Sequence, residues 1–179
     1  LGHKVTVYEK QKIAGGHMTG GMPEYRIPTK DVKKELDDIV AAGVELICGH
    51  TVESAELLRK EYDAVLVAVG TSIGKKLNYL PGSDFKQVYT AVDLLRASRL
   101  QQEIQLGRHC CVIGGGNVAV DAARTLVRMG ISATMICLEK GEAKKSDPEE
   151  LQEAIEEGVT VLEGYSNEAL RAPRNKLPA

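Results

Sequence analysis

Gly114, Gly116 and Ala119 stand at the spacing G-x-G-x-x-[GA] within the run Gly114-Gly115-Gly116-Asn117-Val118-Ala119. Each small residue has a physical task in such a turn. The first permits a tight reversal, the second leaves the backbone open to an approaching anion, and the third lets a following helix close on a strand. A helix beginning at Asn117 and Val118 aims unpaired N–H groups and the positive end of its dipole at that anion. Glu139 follows Ala119 by twenty residues, where an acid at a strand end accepts hydrogen bonds from a ribose. Taken singly, the glycines read as a flexible turn and Glu139 as an exposed acid. In register with each other, they read as a site for a dinucleotide of the NAD type.

Glu139 also bears on NAD against NADP. A 2′-phosphate about 5 Å from its carboxylate meets roughly 3 kcal/mol of repulsion per unit charge at an effective dielectric near 20. Lys140, Lys144 and Lys145 lie close enough in sequence to offset part of that, so NAD is favoured and NADP is the less expected ligand.

These residues need a strand, a helix and a second strand to position them. Cys110 to Ile113 reads as the first strand, Val118 to Met129 as a helix stopped by Gly130, and Thr134 to Leu138 as the second strand, a βαβ unit. Asp147-Pro148-Glu149-Glu150 then carries a helix start, with Asp147 as cap and Pro148 in the first turn. Gly158 ends that helix, and Val159 to Leu162 resumes the sheet. Asp121 and Arg124 form a pair on the face of the first helix.

Upstream, Val5 to Tyr8 reads as a strand leading into a loop with Gly15, Gly16, Gly20 and Gly21. A helix from Lys30, with Thr29 as cap, ends at Gly43, and Val44 to Ile47 is a strand. Glu53 to Glu61 suggests a short helix. Asp63 to Gly70 is an apolar run of the kind buried on both faces of a sheet. Pro81-Gly82 marks a turn, Ala91 to Leu100 a helix, and the polar stretch before Gly107 a junction. Strands alternating with helices imply an α/β fold of doubly wound, Rossmann-like parallel sheets. Two dinucleotide-binding units are expected, 1–104 and 105–179, both incomplete. Incomplete sheets expose edges, which makes association between copies, a homo-oligomer included, an expectation.

Composition removes other classes. A formal net charge of −2, no Trp and one Phe argue against a nucleic-acid partner, which needs clustered cations or stacking platforms. The longest apolar run is too short to span a bilayer. Cys48, Cys110, Cys111 and Cys137 lack C-x-x-C spacing and read as reduced core thiols, and no targeting segment stands out, so a cytoplasmic setting is expected. His3, His17, His50 and His109 are scattered without ligand spacing, and no metal site is expected. No acid, base or nucleophile stands out as catalytic, as expected where a cofactor carries the chemistry.

Glu9 ends the first strand as Glu139 ends a later one, and Glu9-Lys10 echoes Glu139-Lys140. In the complete unit Gly114 precedes the acid by 25 residues, so the glycine equivalent for Glu9 falls upstream of Leu1. Glu9 is either a chance strand-end acid or the sign that the chain begins inside a second dinucleotide-binding unit.

The stretches Gly2 to Lys10, Gly21-Met22-Pro23-Glu24-Tyr25-Arg26-Ile27-Pro28, Ala68-Val69-Gly70 and Gly114 to Arg124 together resemble the small (beta) subunit of glutamate synthase and its relatives. The resemblance covers nearly the whole chain. It implies an FAD- and NAD(P)-dependent oxidoreductase with the nicotinamide domain inserted into the flavin domain. By that resemblance Glu9, with Lys10 beside it, meets the ribose of FAD. Gly15, Gly16 and Gly70 approach the flavin nucleotide, Val52 meets the adenine, and the Gly21 to Pro28 loop lies alongside. Hydride passes from NAD(P)H to flavin, and electrons leave to an iron-sulfur domain or subunit. NADP-using relatives carry paired arginines where this sequence has Leu138-Glu139-Lys140, which again points to NAD. Two other classes compete: a non-catalytic NAD-binding module without flavin, and an S-adenosylmethionine-dependent methyltransferase, which the Gly-Gly-Gly-Asn loop and the flavin-side stretches disfavour.

Overall fold

The computed structural model describes residues 2–171; residue 1 and residues 172–179 of the two expected domains lie outside them. The chain divides into two compact units, Leu1–Ser72 and Ile73–Ala179.

In the first unit β1 (Thr6–Glu9) pairs in parallel with β2 (Glu45–Cys48), with Thr6 opposite Glu45 and Glu9 opposite Cys48. Between them come α1 (His17–Gly20) and α2 (Thr29–Ala41). Val32 is the buried residue of α2. The cap of α2 differs from the sequence expectation. Pro28 occupies the cap position, and Thr29 is the first helical residue, its N–H and hydroxyl donating to the Glu24 carboxylate at 2.9 and 2.7 Å. A carboxylate five residues upstream thus does what a threonine cap was expected to do, and it adds a favourable charge at the positive end of the helix. α3 (Ala55–Leu58) starts where the Ser54 hydroxyl accepts the Glu56 N–H at 3.2 Å.

The run from Asp63 to Gly70 is not a strand. Leu66 is 89% exposed and Val69 83%. An apolar run records a tendency to be buried, but an extended segment becomes a strand only when neighbours satisfy its N–H and C=O groups. Among the described residues this one has no strand beside it; the sheet of this unit contains β1 and β2 alone.

The second unit holds α4 (Ala91–Arg99) and a parallel three-stranded sheet. Its strands are β3 (His109–Ile113), β4 (Ser132–Cys137) and β5 (Thr160–Glu163), in the order β3-β4-β5. α5 (Asn117–Arg128) and α6 (Pro148–Glu156) make the crossovers. Val120, Ala123 and Leu126 of α5 meet Ala133 and Met135 of β4, Leu151 and Ala154 of α6, and Leu94 of α4 in one core. Full burial of side chains such as Leu126, Met135 and Val120 contributes about 1.5–3 kcal/mol each. α6 begins as expected: Pro148 lies in its first turn and Asp147 accepts the N–H groups of Glu149 and Glu150 at 2.9 and 3.2 Å. α4, expected on the flavin side of residue 105, packs on α5.

Arg124 is not a surface residue. It is 6% exposed and crosses to α6, with Nη1 2.6 Å from Glu153 and Nη2 2.6 Å from Glu157. Arg128 reaches the same Glu157 at 2.5 Å. The two guanidinium groups hold the Glu157 carboxyl down at about 2. The thiols also sort differently from expectation: Cys137 is buried, Cys110 is half-buried, and Cys48 and Cys111 are exposed. Alternation along a strand turns one thiol of the Cys110-Cys111 pair away from the helix-covered face.

Candidate nucleotide-binding site

β3 ends at Ile113, and the chain reverses at Gly114, whose N–H donates to the Ile136 carbonyl at 2.9 Å. Its φ of +137° is a conformation that a side chain disfavours. A Cβ at Gly114 would lie 3.5 Å from the Ala119 methyl, so loop and helix are in van der Waals contact. Gly115 is tighter: a Cβ there would stand 2.7 Å from the Cys137 Cβ and 3.5 Å from Glu139 Oε2. The glycine loop therefore lies directly on the end of β4, and the Glu139 carboxylate stands beside it. At Gly116 nothing comes within 4 Å of an added Cβ, so the backbone faces open space just where α5 begins.

Gly116 is the cap of α5, with no side chain bonded to the helix end. Its carbonyl accepts the N–H groups of Ala119 and Val120 at 2.9 and 3.1 Å, while those of Asn117 and Val118 precede any possible intrahelical acceptor. Val118 is exposed beside them. Two outward N–H groups, a helix dipole and an uncluttered glycine form a cradle that fits a phosphate. The Asn117 side chain has another task, its Oδ1 accepting the Asp147 N–H at 2.8 Å. That bond ties the glycine loop to the start of α6, and nothing in the residue spacing signals it.

Near the end of β4 the structure adds an acid that sequence reasoning missed. Glu163, the last residue of β5, accepts the Gly141 N–H at 3.0 Å and is ion-paired with Lys144. The Gly141 amide and the Lys144 ammonium hold its carboxyl below the usual range. Glu163, like Glu139, is an acid at a strand end, but it lacks the twenty-residue spacing from Ala119 that singled out Glu139. Burial raises the Cys137 thiol, which lies under Gly115. A groove along α6 is lined by Lys144, Ser146, Pro148, Leu151 and Ile155, and the buried Ser146 hydroxyl has no hydrogen-bond partner there.

In the first unit the expected flavin-side residues fall in two places. Glu9 ends β1, where its carboxylate accepts the Gln11 N–H at 2.7 Å and its carbonyl the His50 N–H at 3.0 Å. Val52 follows two residues after His50 and is exposed, as is Lys10 next to Glu9. Tyr8 lies against the His50 ring, and its hydroxyl is 2.9 Å from that of Tyr62, a bond that raises its pKa to about 12. Gly15 is packed, since a Cβ there would meet Thr19 Cγ2 at 2.6 Å, while Gly16 and Gly70 are open. His17 Nε2, next to Gly16 in the chain, lies 3.4 Å from the hydroxyl of Thr71, which follows Gly70. Among the described residues no group of three or more His, Cys, Asp or Glu side chains could hold a metal ion, and no helix is long and apolar enough to cross a membrane.

The family model for pyridine nucleotide-disulphide oxidoreductases matches residues 1–173. The chain belongs to the pyridine nucleotide-disulphide oxidoreductase family. Its parallel α/β units are the Rossmann-type folds of that family, whose members use FAD and a nicotinamide dinucleotide. Within the family it is 36% identical over 170 residues to the NAD-dependent dihydropyrimidine dehydrogenase subunit PreT of Escherichia coli (strain K12), covering 92% of this chain and 40% of that protein. It is 31% identical over 148 residues to the glutamate synthase [NADPH] small chain of Mycobacterium tuberculosis, covering 74% of this chain and 30% of that one. The chain thus spans less than half the length of these two relatives. In fold it is similar to a 2-naphthoyl-CoA reductase, with a TM-score of 0.70 at 19% identity over 93% of this chain and 25% of that structure.

Proposed function

We propose that this chain forms the nucleotide-handling part of an NAD-linked flavoprotein oxidoreductase, delivering electrons to an iron-sulfur partner. In cofactor terms residues 105–179 serve NAD and residues 1–104 serve FAD, although 73–104 group physically with the second unit. The observation that carries the reading is the Gly116 cradle with Glu139 beside Gly115. Gly114, Gly115 and Gly116 bring the backbone to the pyrophosphate, and the Asn117 and Val118 amides donate to it. Ala119 lets α5 close on the strand, and Glu139 accepts from the adenosine ribose. On the flavin side Glu9, Lys10 and Val52 meet the adenosine half, and Gly15, Gly16 and Gly70 leave room for the rest. Bound together, the two cofactors supply hydride transfer from nicotinamide to flavin; the chain's own residues bind and orient. The PreT relative is named as NAD-dependent, which supports NAD, with NADP the weaker ligand.

Calorimetric titration with NADH, NADPH and FAD tests this. NADH binds most tightly among the nicotinamide dinucleotides, and Glu139→Ala weakens it by tenfold or more, the loss of charge-assisted hydrogen bonds. No binding of NADH sinks the proposal. NADH binding without FAD selects a second reading, an NAD-binding module without flavin, which the unpaired run from 63 to 70 favours.

A further inference from the structure

We propose that Glu163 sets the preference of this site for a nucleotide lacking a 2′-phosphate, by holding Lys144 away from it. The inference rests on the dinucleotide reading of Gly114 to Ala119 and Glu139 given above.

Lys140, Lys144 and Lys145 follow Glu139 closely in sequence. An ammonium group free to meet a 2′-phosphate would offset the charge of Glu139 and make the site tolerant of NADPH. The fold engages one of them with a neighbouring acid. Lys144 is ion-paired with Glu163 Oε1, and its side chain is only 16% exposed. Oε2 of the same carboxylate takes the Gly141 N–H, so one acid uses both oxygens to fold the segment from Gly141 to Lys144 back onto β5. Lys140 lies across Gly164, where an added Cβ would stand 2.9 Å from its Nζ, one residue beyond the same acid. Cys137 pairs with Glu163 in the β4–β5 ladder, so Glu163 ends its strand at the sheet edge that carries Glu139. The Lys144–Glu163 pair sums to no net charge, so Lys144 does not offset the charge of Glu139.

Titration of the unaltered protein, Glu163→Gln and Glu163→Gln/Lys144→Met with NADH and NADPH tests the assignment. Glutamine keeps a carbonyl acceptor for Gly141 but releases Lys144. The ratio of NADPH to NADH affinity is expected to rise about tenfold in the single variant, the release of one ammonium that can approach the 2′-phosphate. It returns to the starting ratio in the double variant, which lacks the ammonium. An unchanged ratio in Glu163→Gln overturns the proposal, as does a gain that survives in the double variant or a starting protein that prefers NADPH. Absence of NADH binding in the starting protein is a different result and removes the dinucleotide reading itself. Thermal melts accompany each titration, and if Glu163→Gln does not fold, Glu163→Asn, with the same carbonyl on a shorter arm, takes its place under the same outcomes.

Discussion

At the scale of single residues, the three adjacent glycines are not equivalent, and substitution separates them. Gly115→Ala drives a methyl to 2.7 Å from the buried Cys137 Cβ, an overpacking that costs about 1–3 kcal/mol and is read as a lowered midpoint in urea unfolding. Gly116→Ala enters open space, so it costs at most about 1 kcal/mol as a poorer helix cap, yet it weakens NADH by an expected tenfold or more by blocking the close backbone approach. If both variants lose stability alike, the division of labour is wrong. The loop and Glu139 were legible in the sequence because their spacing is short-range and tied to strand and helix ends. The partners of Asn117 and Lys144 were not, because they lie 30 and 19 residues away on elements whose register only folding sets.

At the scale of elements, α5 and α6 are joined by charge as well as by the apolar core. Arg124→Ala is expected to cost about 2–4 kcal/mol by thermal unfolding, since it removes a buried cation together with the packing of its stem. Glu157 makes the joint sensitive to acid. Its carboxyl is lowered to about 2 from 4.5, so its stabilisation is complete above the unfolded value and is lost as pH falls toward 2. With the side chain 24% exposed, solvent screening leaves roughly 1–2 kcal/mol. Melting temperatures followed from pH 5 to pH 2 should therefore fall more steeply for the unaltered protein than for Glu157→Gln; parallel curves would count against the clamp. The Asp147 cap of α6 was readable because a cap is a local event within three residues, whereas the acid that replaces Thr29 at the start of α2 sits across a turn at Glu24.

At the scale of the whole molecule, alternating strands and helices were legible as parallel α/β units, while the fate of the apolar run 63–70 was not. Hydropathy records what a segment would bury, and pairing depends on which neighbours are present. Amide hydrogen exchange gives the contrast directly: residues 64–69 are expected to exchange within seconds and residues 133–137 of β4 far more slowly. Equal protection of the two would mean that the run is paired. Because Leu66 and Val69 are exposed, Leu66→Lys with Val69→Lys should leave the melting temperature within about 1 °C. The same pair should reduce any concentration-dependent association seen by analytical ultracentrifugation.

The position of Cys137 beneath Gly115 equips the molecule with an internal clock. Its thiol is 1% exposed and covered by the glycine loop, whereas Cys111 on the same sheet is open to solvent. An alkylating reagent is expected to mark Cys111 before Cys137, which is reached when the loop lifts from β4 or the unit opens more widely, so the lag between the two adducts in a mass spectrum reports that opening. A dinucleotide seated on the loop lengthens the lag without changing the mark on Cys111, and each molecule carries its own zero of time.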